Sequence, residues 1–280
     1  MDLLGKKCVI TGAASGIGLA LAHKFRAEGA DLVITDRSAE LLVNAVGALK
    51  STAGGACESF LVDLAVEQGN LDLVNFANQA LGGIDLFFAN AGVGIGTGVV
   101  ETTEDEWNTA FNINFNAHRW ALKAVLPQWL ERGDGYFCST ASAAGMLTQP
   151  GSVPYAVTKH AALSFAEWVA ITYGERGIKV SCLCPQGVNT PMIGGPVSSA
   201  KPENTTSPPD AISDLAIAAV RAGGDVLEAR DVADVMVDAI KREIFLVLPH
   251  PEVKTYFERK ANDRDRWIAG MRKMQARLQQ

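Results

Sequence analysis

The sequence predicts a doubly wound α/β fold, a three-layer α/β/α domain around a parallel sheet of about seven strands. Three observations predict it. Short apolar runs alternate with longer helical patterns along the chain, as strands do with crossover helices. A glycine-rich turn joins the first apolar run to the first helical pattern. Nothing later resets the alternation into a second domain.

Cys8-Val9-Ile10 reads as the first strand and Ile17 to Glu28 as the helix after it. Ala30 to Thr35 is the second strand, followed by a helix from about Ala39 to Ser51. Ala56 to Leu61 is the third, with a helix over Val66 to Leu81. Ile84 to Ala89 is the fourth, short and strongly apolar. A helical region between Thr103 and Glu131 leads to a fifth, Gly135 to Ser139. The long helix Val153 to Tyr173 precedes the sixth, Ile178 to Leu183. A helix near Ala229 to Lys241 leads to a seventh, Ile244 to Leu248. The compositional break from Pro191 to about Pro209, rich in Pro, Ser, Thr and Gly, predicts a mobile loop rather than a domain linker, because the short seventh run needs a sheet to join. The whole chain, 1–280, therefore reads as a single domain with a substrate loop at 191–215 and a C-terminal extension at 254–280.

Composition bounds the function. The 280 residues are 48% hydrophobic and 20% charged, which suits a globular core. A net charge of −6 argues against nucleic acid as the main partner. The N-terminus has no long apolar region before the glycine turn, and no 18-residue apolar run follows, so export and membrane spanning are not expected and cytoplasm is the default. The five cysteines lack metal spacing and read as small buried hydrophobes, with Cys182 and Cys184 expected to face opposite ways from their strand. His23, His118, His160 and His250 are scattered and read as satisfied or surface histidines, and no metal site is expected.

Thr11-Gly12-Ala13-Ala14-Ser15-Gly16-Ile17-Gly18 lies where glycines have a mechanical role. They allow a tight turn and close backbone approach to a pyrophosphate, which the N–H groups of the following helix attract. The spacing departs from G-x-G-x-x-G, but the strand-turn-helix setting is that of a Rossmann-type dinucleotide site. Asp36 closes the second strand at about the expected distance for a carboxylate that binds the adenosine ribose hydroxyls. It would repel a 2′-phosphate and favours NAD over NADP, although the adjacent Arg37 could receive such a phosphate.

From Gly5 to about Leu248 the sequence resembles the short-chain dehydrogenase/reductase (SDR) family. Thr11-Gly12-x-x-x-Gly16-Ile17-Gly18 matches its cofactor loop, Ser15 included. Asp63, with Leu64 beside it, matches the residue that the resemblance assigns to the adenine ring. Asn90-Ala91-Gly92 matches the motif ending the fourth strand, and Asn114 the structural and catalytic asparagine. Ser142, Tyr155 and Lys159 match the catalytic residues, with the family's separation between Ser and Tyr. Pro185, Gly187, Val188 and Thr190 fall in the run that meets the nicotinamide end, where Gln186 replaces the usual Gly and Gly187 is expected to take over the flexible position. The resemblance also implies a homotetramer or homodimer.

The residues carry a chemistry of their own. Tyr155 and Lys159 are four apart and share a helix face. A free tyrosine, with a pKa near 10, is a poor base at neutral pH, and a neighbouring ammonium favours the phenolate. Tyr155 is thus expected as the acid/base, with Lys159 lowering its pKa and binding the nicotinamide ribose. Ser142, just beyond the fifth strand, can donate to the substrate oxygen, and Asn114 would support a proton relay through Lys159. The expected activity is hydride transfer between NAD and a secondary alcohol or ketone. An epimerase or dehydratase of the same fold, or a non-catalytic NAD-binding regulatory protein, are the alternatives; no G-x-S-x-G elbow supports a hydrolase.

Three segments should set specificity: Val93 to Val100, Ala143 to Val153, and 191–215. They carry Ile95, Met146, Leu147, Met192 and Ile193, and Lys201 is their only basic residue. A neutral, largely apolar substrate such as a terpenoid, steroid or aryl alcohol is expected, rather than a sugar phosphate or acyl-CoA. Between Lys254 and Arg277 there are eight Lys or Arg against Glu258, Asp263 and Asp265. Trp267, Met271, Met274 and Leu278 form one helical stripe, which predicts a helix packed on its own or a sister subunit, with an anionic membrane surface as the competing reading.

Overall fold

The computed structural model describes residues 1–195 and 213–280. Residues 196–212, the body of the expected substrate loop with Lys201, lie outside the described residues. The elements are β1 (Lys7–Thr11), α1 (Gly16–Ala27), β2 (Asp31–Asp36), α2 (Ala39–Lys50), β3 (Cys57–Leu61), α3 (Glu67–Leu81) and β4 (Leu86–Ala89). Then follow α4 (Glu104–Phe111), α5 (Ala117–Arg132), β5 (Gly135–Thr140), α6 (Ala144–Leu147), α7 (Val153–Tyr173), β6 (Ile178–Leu183) and β7 (Gly187–Asn189). The described chain ends with α8 (Asp214–Ala222), β8 (Val226–Glu228), α9 (Ala229–Lys241), β9 (Leu246–Val247), α10 (Glu252–Asn262) and α11 (Arg264–Leu278).

Seven strands pair in the order β3-β2-β1-β4-β5-β6-β9, all parallel. Alternate strand residues feed two cores, as a period of two requires. Cys8, Ile10, Leu32, Ile34, Leu86 and Phe88 pack with α1, α2 and α9. Val9, Val33, Phe87 and Phe137 pack with α3, α5 and α7 on the other face. Burial on both faces explains why these strands read as continuous apolar runs. The order reverses between β1 and β4, which opens a crevice at the carboxyl ends of those strands.

The structure corrects several expectations. Cys182 and Cys184 share one face with their sulfurs 4.0 Å apart, because residues two apart on extended chain point the same way. The seventh strand pairs over two residues only, Leu246 and Val247. Gly187–Asn189 pairs with Val226–Glu228 in a small second sheet that the apolar pattern did not announce. The helical region before β5 contains a π-helical turn at Asn112–Asn116. The C-terminal extension is two helices rather than one, broken at Asp263, whose carboxylate caps α11 by accepting from the Arg266 amide at 2.9 Å.

Candidate active site

A cavity of about 530 Å³ occupies the crevice. Its floor at the dinucleotide end is backbone. Gly12 sits at φ +61°, and a Cβ there would lie 2.9 Å from Ala91 Cα; a Cβ on Gly18 would strike the Gly12 carbonyl. Helix α1 therefore starts hard against β1, and its cap residue Ser15 makes no side-chain cap hydrogen bond, leaving first-turn N–H groups for an anion. Thr11 and Asn90 lock the cradle. Thr11 Oγ1 accepts from the Asn90 and Ala91 amides at 2.9 and 3.0 Å, and Asn90 Nδ2 donates to the Thr11 carbonyl at 3.0 Å.

Asp36 lines the cavity at the end of β2, where its carboxylate accepts from the Ala14 amide at 3.2 Å and the Ser38 amide at 3.1 Å. Arg37 lines it too and is exposed to solvent. Asp63, Leu64, Ala91 and Gly92 border the same space. The glycine cradle, the helix terminus and a carboxylate at the ribose edge fit a nicotinamide dinucleotide. Gly12, Ser15, Gly16, Ile17, Gly18, Asp36, Asp63 and Asn90 are the residues that would hold its adenosine and pyrophosphate.

At the opposite end, β5, α7 and the segment after β6 bring Ser142, Tyr155, Lys159, Pro185, Val188 and Thr190 to one wall. The three catalytic candidates are buried. Lys159 Nζ donates to the Thr140 carbonyl at 2.8 Å and lies 5.7 Å from the centre of the Tyr155 ring. Burial pushes the Lys159 ammonium down to about 8. Burial also pushes the Tyr155 phenol above its usual value, while a hydrogen bond with Ser142 pulls the other way. In this structure the net direction for Tyr155 is upward, with burial as the largest cause, rather than the expected lowering.

Asn114 does not border the cavity. The π turn points its fully buried side chain at the loop after β4, where Oδ1 accepts from the Val93 amide at 2.8 Å. Its Nδ2 donates to the Val93 carbonyl at 2.9 Å and to Thr158 Oγ1 at 3.1 Å. A Cβ on Gly92 would lie 3.2 Å from both Asn114 Oδ1 and Lys159 Nζ, so the three residues pack closely at this point. Gly187 is also set back from the cavity, in β7, with no left-handed backbone. Gln186 takes its place in the lining on ordinary backbone.

Sequence reasoning passed over His250 as a satisfied or surface residue, and it is satisfied to a purpose. Its buried Nδ1 accepts the Gln186 amide at 3.1 Å, which leaves Nε2 to donate to the Gly187 carbonyl at 2.9 Å. One imidazole in one tautomer clamps the Gln186–Gly187 peptide beside the cavity. Its signal was position: it follows the last strand, at the carboxyl edge of the sheet. Gln149, also unnoticed, lines the cavity from the loop before α7.

Among the described residues no helix is long and apolar enough to cross a membrane. The short chain dehydrogenase family profile matches residues 6–199. The chain is 30% identical over 272 residues, 96% of its length and 93% of the relative's, to 1-deoxy-11-beta-hydroxypentalenate dehydrogenase of Streptomyces avermitilis. Its fold is similar to that of a short-chain dehydrogenase/reductase from Burkholderia phymatum in complex with NAD, with TM-score 0.81 and 29% identity, covering 95% of this chain and 96% of that one. A short-chain dehydrogenase from Sphingobium yanoikuyae in complex with NADPH has the same fold, with TM-score 0.76 and 23% identity, covering 94% and 95% of the two chains. With the cradle and the Ser-Tyr-Lys wall in the same crevice, the chain belongs to the short-chain dehydrogenase/reductase family and is an NAD(P)-dependent oxidoreductase.

Proposed function

We propose that the protein uses NAD to interconvert a hydrophobic secondary alcohol and its ketone. The observation that carries the reading is the meeting of Ser142, Tyr155 and Lys159 on one buried wall of a cavity whose far end carries Asp36. The nicotinamide supplies the hydride acceptor in oxidation and the donor in reduction. Tyr155 takes the carbinol proton in oxidation and returns it in reduction. Ser142 donates to the substrate oxygen and holds it beside Tyr155. Lys159, anchored on the Thr140 carbonyl, binds the ribose and favours the phenolate. Asn114, bonded to Val93 and to Thr158 next to Lys159 in sequence, supports the proton relay that restores Tyr155.

Asp36 supports NAD, because a second negative charge at the ribose edge would meet its carboxylate in a partly buried setting. The apolar residues Met192, Ile193 and Val220 of the lining support a hydrophobic substrate. The Streptomyces relative, named for dehydrogenating a hydroxylated compound, supports an alcohol. The test is absorbance of the reduced nicotinamide during incubation with NAD or NADP and a panel of hydrophobic secondary alcohols. Turnover that prefers NAD is expected. Equal efficiency with NADP would remove the cofactor assignment, and highest kcat/KM on sugar phosphates or acyl-CoA would remove the substrate class.

A further inference from the structure

The main cavity does not end at the catalytic wall. Gln149, Gln186 and Val220 line it and also line a second cavity, of about 260 Å³. One side of this second space is Leu147 and the α8 residues Ala219 and Val220; the other is Tyr256, Trp267, Met271 and Met274 from the C-terminal helices. Among the described residues its charged lining residue is Arg259, which is exposed to solvent.

The C-terminal helices are fastened over this space. Trp267 Nε1 donates to the Leu147 carbonyl at 3.3 Å, and the buried Lys260 ammonium donates to the Met146 carbonyl at 2.6 Å. The Tyr256 hydroxyl donates to the Gly223 carbonyl at 3.1 Å. The stripe foreseen from sequence is therefore docked on its own subunit, but it does not fill what it covers. Trp267, Met271 and Met274 remain half-buried, and among the described residues a Cβ on Gly270 would meet nothing within 4 Å.

Two polar atoms stand where the cavities join. Gln149 Nε2 and Gln186 Oε1 are buried and have no hydrogen-bond partner among the described residues. An unmatched buried donor or acceptor is costly, and such atoms are uncommon in folded proteins. A ligand oxygen can accept from Gln149, and a ligand hydroxyl can donate to Gln186. The methionines beyond are adaptable and suit a ring more than a fixed outline.

We propose that the second cavity is a distal substrate subsite, and that the substrate is an elongated, neutral alcohol or ketone with three parts. Its reacting carbon lies at Tyr155 and Ser142. A further oxygen function lies at Gln149 and Gln186. An apolar ring lies under α11 against Trp267, Met271 and Met274. This rests on the dehydrogenase reading for its reacting end.

Three probes separate the parts: methylphenylcarbinol, methyl-(para-benzylphenyl)carbinol and methyl-(para-phenoxyphenyl)carbinol. The last two differ by one ether oxygen. Turnover is followed with NAD, and the ketone of each probe is titrated into protein with oxidised NAD, where it cannot react, by quenching of tryptophan fluorescence. The two long probes should exceed the short one in kcat/KM, and the phenoxy probe should be the best. Gly270→Phe and Met274→Trp, each checked for folding by thermal melting, should lower the long-to-short ratio about tenfold. Gln149→Leu should erase the difference between phenoxy and benzyl probes. Turnover with ratios unchanged in both filling variants overturns the subsite and leaves the dehydrogenase intact. Ketone binding weakened about tenfold by the filling variants, without turnover of any alcohol, overturns the dehydrogenase and leaves the subsite.

Discussion

A Cβ on Gly18 would strike the Gly12 carbonyl, and one on Gly12 would lie 2.9 Å from Ala91 Cα, whereas Gly270 at the far end of the cavity system has nothing within 4 Å. The dinucleotide end is backbone packed against backbone, held by Thr11 and Asn90. The substrate end is made of side chains from Gln149, Val220, Tyr256 and Trp267, brought together from four separate stretches of chain. Close backbone packing leaves one residue type that works at a position. Side-chain walls accept many, so one end is fixed in composition and the other is free to vary in what it admits.

The largest test of that contrast is Tyr155→Phe. It should cut kcat about 10²–10⁴-fold while NAD binding, measured by titration, persists, because the cradle lies elsewhere. Loss of binding together with turnover would break the separation of the two ends.

His118 tests the rigid half against acid. It is fully buried with Nδ1 2.9 Å from Ser139 Oγ, and burial, then the charge of Lys159, hold its pKa down to about 3. The unfolded chain binds this proton near the usual pKa of 6.5, so between about 6.5 and 3 the unfolded state carries more protons. Stability from this group is therefore full above about 6.5 and is lost as pH falls towards 3, on the order of 5 kcal/mol in all. His118→Asn should flatten the acid limb of urea-unfolding stability over that window; an unchanged limb would show that His118 can protonate in place.

Asp36→Ala should shift the ratio of kcat/KM for NAD over NADP towards NADP by about tenfold, since it removes one carboxylate from the ribose edge. No shift would place discrimination with Arg37. The smallest expected effect is at the variable end. Gly270 lies inside α11, exposed and with open space at its Cβ, so Gly270→Ala should raise stability by about 0.5–1 kcal/mol, read by thermal melting. A fall in melting temperature would mean that α11 needs a glycine there.

The cofactor half was legible because its constraints are local. The turn from Thr11 to Gly18, the acid at Asp36 and the Tyr155–Lys159 pair each lie within one short stretch of sequence, and all border one cavity. Asn114 was found as a residue but not in its working position, because the π turn that aims it at Val93 has no periodic signature. That His250 is satisfied by Gln186 and Gly187 was not legible, because those partners lie far along the chain.

By itself, the sequence determined the alternation of strands and helices, the glycine cradle and the Ser142, Tyr155 and Lys159 set that meets in the crevice. Each follows from spacing, side-chain period or the absence of a Cβ. Only the tertiary structure decided that burial raises the Tyr155 phenol, that His250 clamps the Gln186–Gly187 peptide and that the basic tail breaks at Asp263 to roof a second cavity. Those outcomes depend on what one segment buries of another, and no spacing along the chain encodes which distant surfaces exclude water together.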